Sequence, residues 1–325
     1  MRAIVCEAHG PPEALVLRGD VPVPEPGPGE LRIRVRAAGV NFPDSLVIQN
    51  LYQVQPPLPF SPGSEAAGTV DAVGAGVTGF AVGDRVAAMT IHGAFAEAVT
   101  VPAGRVVPVP DGMDFETAAG FTMAYGTSYH ALKQRAGLAP GETVLVLGAA
   151  GGVGLAAVEL ARAMGARVIA AASSDAKLAL ARSRGADDAI NYAEADLKAA
   201  VRDLTGGRGV DVVYDPVGAG LAETAFRTLA WQGRYLVVGF AGGTIPSLPL
   251  NLPLLKGSSL VGVFWGAFVK NEPMRHRENV AELYRWYAEG RLKPHVSRRF
   301  SLEEAPQAIR WIMDRKADGK VVVTL

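Results

Sequence analysis

Apolar residues along this chain follow two regimes. Before Phe115 they come as short β-like runs at 2–6, 31–36, 68–73, 85–89 and 96–99, each cut off by glycine or proline, the pattern of a compact, mostly β lobe. Pro22, Pro24, Pro26, Pro28 and Gly29 mark an irregular connection, because proline supplies no amide to a helix or central strand. From Phe115 the period becomes helical, through 118–124 and 127–134, and strand-length and helix-length runs then alternate. Strands are predicted at 144–147, 167–172, 189–192, 211–214, 234–238 and 259–264, and helices at 155–164, 175–184, 195–204 and 221–229. That alternation builds a doubly wound parallel sheet, and the unbroken apolar run at 144–147 suits a strand buried on both faces. Beyond Trp265 the chain offers two helical patterns, 278–289 and 303–313, and a last strand at 320–325. These pieces are too few for a third domain and are expected to complete the first lobe. The chain is thus read as α/β, with a mostly β domain over 1–123 and 266–325 and an inserted doubly wound domain over 124–265.

Between the strand at 144–147 and the helix at 155–164 lie Gly148, Gly151, Gly152 and Gly154. Strand, glycine turn, helix and second strand fall within a frame of about 30 residues, as a dinucleotide-binding βαβ unit requires. Missing side chains at Gly151, Gly152 and Gly154, with Val153 between them, let backbone amides approach a pyrophosphate at a helix N-terminus. The spacing is GxxGxxG, not GxGxxG, so a tight turn without a ligand is the competing reading.

The end of the second strand selects the cofactor. An NAD site places an acid there for the ribose hydroxyls, but this strand ends Ala171-Ala172-Ser173-Ser174 with Lys177 following. Two hydroxyls and an ammonium suit the 2′-phosphate of NADPH. Asp175 reads either as an acid one turn late or as support for a helix N-terminus. Val217 after the fourth strand, and Gly239, Phe240 and Ala241 after the fifth, lie on the carboxyl edge where open α/β sheets bind ligands.

Composition narrows the partners. Thirty-two basic and 32 acidic residues give zero formal charge without long charge runs, which argues against nucleic acid or an anionic membrane as the main partner. The single cysteine, Cys6, forms no internal disulfide and no multi-cysteine metal site. With no apolar stretch of about 18 residues and no leader pattern at the N-terminus, the protein is expected in the cytoplasm.

Five motifs span nearly the whole chain: Gly39-Val40-Asn41-Phe42-Pro43-Asp44, Pro62-Gly63-Ser64-Glu65-Ala66-Ala67-Gly68, Gly126-Thr127-Ser128-Tyr129-His130-Ala131-Leu132, the glycine turn at 148–154, and Gly319-Lys320-Val321-Val322. Together they resemble the medium-chain dehydrogenases/reductases of the zinc-independent quinone oxidoreductase type. The resemblance implies a GroES-like catalytic domain and an inserted Rossmann domain. It also implies that Asn41 and Thr127 face the nicotinamide, that Tyr192 packs beside the 2′-phosphate with Lys177, and that Phe264, Trp265 and Gly266 reach the nicotinamide amide through main-chain groups. Asp44 buttresses Asn41 or fixes its loop; Tyr52 acts as donor or acid, or as an apolar lid. Glu65 is read as a structural contact, and Lys320 as a phosphate ligand or a solvated lysine.

Zinc-dependent relatives hold a catalytic metal with Cys, His and a third Cys or acid. At the matching places stand Asn41 and Ser64, and 117–127 contains no Cys, His, Asp or Glu, so no metal is expected. Without a Lewis acid, hydride addition favours an acceptor that spreads its own charge, a quinone or another α,β-unsaturated carbonyl. Enoyl-thioester (enoyl-CoA) reduction and a non-catalytic NADPH-binding role are the alternatives. The uncharged strand Ser258-Ser259-Leu260-Val261-Gly262-Val263-Phe264, expected at a sheet edge, predicts a homodimer.

Overall fold

A computed structural model describes all residues, 1–325. The chain divides into two compact units, Met1–Met123 with Pro294–Leu325, and Ala124–Lys293.

The first unit is built on Glu30–Val40, an 11-residue strand that pairs antiparallel with Glu65–Val73, with Lys320–Thr324 at one end and with Ala98–Pro102 at the other. Arg85–Met89 and Val106–Pro108 extend the sheet on one side, and Val296–Ser301 closes the other, parallel to Lys320–Thr324. Leu31, Ile33 and Val35 alternate into a core with Val70, Val86, Val101 and Val321, the period-two burial that a one-sided sheet demands. Gly68 is required where its strand crosses a bulge, since a side chain there would begin 2.0 Å from the carbonyl oxygen of Arg34.

The second unit carries a six-stranded, all-parallel sheet in the order Asp188–Asn191, Arg167–Ala172, Thr143–Leu147, Val210–Asp215, Leu229–Val237, Ser259–Gly262. Every side chain of Thr143–Leu147 is buried, as its apolar run required. The order grows outward from the glycine turn on both sides, so Ser259–Gly262 is an edge strand.

The return to the first unit falls at Pro294, not at residue 266. Residues 265–293 form Trp265–Asn271 and Pro273–Ala288, and their side chains bond back to the helix Thr122–Tyr129 and its π-helical continuation His130–Arg135. Glu282 takes the Tyr129 hydroxyl and, at 2.7 Å, the Lys133 ammonium; Asn279 and Gln134 exchange amide hydrogen bonds; and His130 stacks on Phe268 at 4.0 Å. These partners lie roughly 150 residues apart in sequence, beyond the reach of local patterning. No helix is long and apolar enough to cross a membrane.

Candidate functional site

In the first unit, the turn after Glu30–Val40 starts a six-residue helix, Phe42–Val47, closed by a reciprocal cap in which the Asn41 amide donates to Asp44 Oδ2 at 2.7 Å. The Asn-x-x-Asp spacing was a capping signal, although the helix is too short for periodicity to show. Asn41 is 8 % exposed and Asp44 2 %. The Asn41 side chain donates to Glu65 Oε1 at 3.0 Å and accepts from Lys320 Nζ at 2.7 Å, so its amide bridges a buried ion pair. Lys320 also donates to Glu65 Oε1 at 2.7 Å, and Glu65 Oε2 takes the amide of Met123. Gly39 is small because a side chain there would begin 2.3 Å from the Glu65 carboxylate.

Lys320 therefore departs from the solvated reading, since it is buried and its ammonium is bonded within the protein. Its strand pairs with Glu30–Val40, and its three ammonium protons go to Glu65, Asn41 and the carbonyl of Val40. Glu65 and Lys320 are 255 residues apart, and nothing in their local sequence announces the pair.

Burial pushes the Asp44 carboxyl up to about 7, with the Glu65 charge adding to it and the Asn41 amide, the Ser64 hydroxyl and the Lys320 ammonium opposing it. Tyr52 is half-buried against the β core, and its phenol is raised by burial and by the charge of Asp44. Asn41, Asp44, Tyr52 and Lys320 thus share one polar neighbourhood of the first unit.

In the second unit, Gly148 adopts φ +56°, and Gly154 lies so close to it that a side chain would begin 2.2 Å from the Gly148 carbonyl oxygen. The helix Gly152–Ala163 starts here with Leu155 bonding back to Gly151. The amides of Gly152, Val153 and Gly154 belong to its first turn, where no helical carbonyl is available, and are the donors that suit a pyrophosphate.

Beside this turn, Ser174 caps the helix Asp175–Ser183, and Asn191 pairs in register with Ala172, which brings Tyr192 next to Ser173 through a 3.1 Å backbone bond to Ala172. Ser173, Ser174, Lys177 and Tyr192 are therefore gathered at two adjacent strand ends. Asp175 accepts from the Asn191 side chain at 3.2 Å within the first turn of its helix, which is the helix-supporting reading.

The loops after the next two strands are joined. Asp215, buried at the end of Val210–Asp215, accepts from the amides of Val217 and Gly218 at 2.7 and 2.8 Å and from the Tyr235 hydroxyl. Ala241 and Gly242 donate to Pro216 and Val217, and Phe240 packs on Gly218, so Val217, Gly239, Phe240 and Ala241 form one rim. An Asp ahead of Pro-x-Gly was a turn signal for this organising role.

Thr127 is half-buried on Thr122–Tyr129. Its neighbour Ser128, which sequence reasoning left without a role, anchors that helix to the glycine turn through Val153 O at 2.9 Å and the Tyr214 hydroxyl at 2.8 Å. Trp265 is a core aromatic whose indole lies against Gly126, leaving no room for a side chain there. Phe264 and Gly266, on either side of it, are exposed.

Nowhere do three His, Cys, Asp or Glu side chains gather as a metal would need. At the positions where zinc-dependent relatives carry ligands, Asn41 and Ser64 adjoin a carboxylate already neutralised by an ammonium, a donor set that does not fit tetrahedral zinc.

A β unit with this polar cluster and a parallel unit with a glycine turn at a helix N-terminus suit a dinucleotide-dependent oxidoreductase. The chain matches the Alcohol dehydrogenase GroES-like domain family over residues 27–111 and the Zinc-binding dehydrogenase family over 152–286. It is 38 % identical to the Quinone oxidoreductase-like protein 2 homolog of Nematostella vectensis over 99 % of this chain and 88 % of that one. The crystal structure of Escherichia coli quinone oxidoreductase complexed with NADPH superposes with a TM-score of 0.93 at 30 % identity, covering all of both chains. That of CurK enoyl reductase gives 0.90 at 27 % identity over 99 % of this chain and 98 % of that one. The chain belongs to the medium-chain dehydrogenase/reductase family and is an oxidoreductase.

Asp44 supplies a pH test. The folded protein holds its proton to about pH 7, whereas the ordinary carboxyl releases it near 3.8. The folded state therefore binds the extra proton in this window, and the contribution to stability, fully present below pH 3.8, is lost as pH rises through 7. Asp44→Asn removes the titration and keeps an acceptor for the Asn41 amide. Between pH 5 and 8, urea unfolding should show the variant gaining about 2–3 kcal/mol relative to the parent. A difference that does not change with pH would mean that Asp44 ionises like an exposed carboxyl.

Proposed function

We propose that this protein is an NADPH-dependent, metal-free reductase that delivers hydride to quinones or other α,β-unsaturated carbonyl compounds. The observation that carries this reading is the Asn41–Glu65–Lys320 cluster. Its charges cancel internally and it offers no donor set for a Lewis acid, so it serves an acceptor that delocalises its own negative charge better than one that forms a localised alkoxide.

The residues of the second unit fit NADPH. Backbone amides of Gly152, Val153 and Gly154 bind the pyrophosphate, while Gly151 leaves the approach open. Ser173, Ser174 and Lys177 hold the 2′-phosphate, with Tyr192 packed alongside, and the one nearby acid, Asp175, lies in the first turn of the following helix and not at the strand end. The rim of Val217, Gly239, Phe240 and Ala241 borders the site, and main-chain groups of Phe264 and Gly266 orient the nicotinamide amide. When bound, NADPH supplies the hydride, as its presence in the Escherichia coli relative supports. Thr127 orients the reacting end of the dinucleotide. Tyr52 donates a hydrogen bond to the acceptor oxygen, and Asn41 and Asp44 hold the loop that carries the acceptor side; protons come from solvent.

The enoyl-thioester reading is kept as a second one because of the likeness to CurK enoyl reductase. The two separate when NADPH oxidation is followed against ortho- and para-quinones, alkenones, 2-alkenals and crotonyl-CoA, with NADH as control. Turnover confined to crotonyl-CoA would replace the leading reading. Stoichiometric zinc in purified protein, with activity lost to a chelator, would overturn the metal-free one.

Lys177→Ala should weaken NADPH by about 1.5–3 kcal/mol and leave NADH nearly untouched. Equal affinity of the parent protein for the two cofactors would refute the 2′-phosphate site.

We further propose a homodimer through Ser259–Gly262. This edge strand has no charged residue, Leu260 is 41 % exposed, and the nearby chain exposes Leu250, Leu254 and Leu255 as well. Such an edge invites pairing with its own copy. Light scattering should give twice the 34.0 kDa chain mass, and Leu260→Lys should shift it toward one chain. A monomer at micromolar concentration, or a dimer indifferent to the substitution, rules this interface out.

A further inference from the structure

The chain passes between its two units twice, after Met123 and after Lys293. Just inside the second unit at each crossing stands a group bonded to the same carboxylate. Glu159 Oε2 accepts from the Tyr125 hydroxyl at 2.8 Å and from the backbone amide of Lys293 at 2.9 Å. Glu159 is 4 % exposed, and it belongs to the helix Gly152–Ala163 whose first turn faces the pyrophosphate. Its other oxygen lies 3.8 Å from Arg184 Nη1, which donates to the carbonyl of Lys293 at 2.7 Å. Arg184 ends the helix Asp175–Ser183, whose opposite end carries Ser174 and Lys177. Arg291, two residues earlier, donates to Ala163 O at the end of the glycine-turn helix.

The backbone of Lys293 is thus held at its N–H from one cofactor helix and at its C=O from the end of the other. A buried carboxylate is an expensive way to hold two chain segments, since burial raises its pKa, opposed by the Lys293 amide, the Tyr125 hydroxyl and the charges of Arg184 and Lys293. Glu159 itself lies in neither the glycine turn nor the set Ser173, Ser174, Lys177 and Tyr192. What it does is join both phosphate-facing helices to both crossings.

We infer that Glu159 and Arg184 are positioning residues that transmit occupancy of the dinucleotide site to the two crossing segments. The inference rests on the NADPH reading above. Cofactor that stiffens the N-terminal turns of the two helices stiffens their far ends as rigid rods, and the shared carboxylate and guanidinium carry that order to residues 121–126 and 290–296.

Amide hydrogen exchange on the full chain, with and without saturating NADPH, tests this, with NADPH affinity measured separately by calorimetry. In the parent, NADPH should slow exchange in both segments by about tenfold. Glu159→Ala should abolish that slowing in both while its Kd stays within the same order of magnitude. Glu159→Gln, whose amide oxygen still accepts from Tyr125 and Lys293, should retain it. Arg184→Met, which leaves the Glu159 bond to the Lys293 amide, should weaken it at 290–296 and keep it at 121–126; equal slowing of both segments in this variant overturns the inference if Glu159→Ala does not fold. A purely structural Glu159 would speed exchange equally with and without NADPH, preserving the ratio, and that result overturns the inference. Parent protein that binds NADPH without protecting either segment overturns it alone; parent protein that binds no NADPH overturns the cofactor reading and this inference together.

Discussion

The second unit depends on one close approach. The Gly148 carbonyl lies where a side chain at position 154 would begin, so strand and helix meet through backbone alone. That contact lets Gly152–Ala163 start immediately after Thr143–Leu147 and puts its unpaired amides at the carboxyl edge of the sheet. Other parts of the unit are braced to the same spot: Val217 packs against Gly148, Ser128 bonds Val153, and the Asp215 turn supports Val217. A phosphate site built this way needs little charge of its own, because oriented peptide groups supply the field.

The first unit answers a different constraint, that of burying polar groups without leaving them unmatched. Glu65 and Lys320 are both nearly inaccessible, and a lone charge at either place would cost several kcal/mol. Asn41 completes the pair by accepting from one partner and donating to the other. A neutralised cluster of this kind favours a low-charge environment, and Asp44, drawn toward neutrality beside it, belongs to the same economy of charge. The two units thus handle charge differently, the glycine turn through oriented peptide groups and the cluster through an internal ion pair.

Much of the second unit was legible because its signals are local. Burial on both faces writes Thr143–Leu147 as an unbroken apolar run, and the turn after it must be glycine whatever lies elsewhere. The missing acid after Ala172 is likewise a statement about one strand end. Short elements were less legible. Phe42–Val47 and Asn251–Lys256 are six-residue pieces of under two turns, too brief to show a period.

The sequence by itself determined the α/β class, the strand–turn–helix frame and the chemistry available at the second strand end, since each depends on residues within a few turns of one another. Only the tertiary structure decided that residues 265–293 stay with the second unit, that Lys320 is Glu65's partner, and that Glu159 gathers both chain crossings. Those facts are pairings across 34 to 255 residues. A carboxylate or ammonium has no period and no register, so its partner is chosen by which backbone segments packing brings within about 3 Å, and local sequence holds no record of that choice.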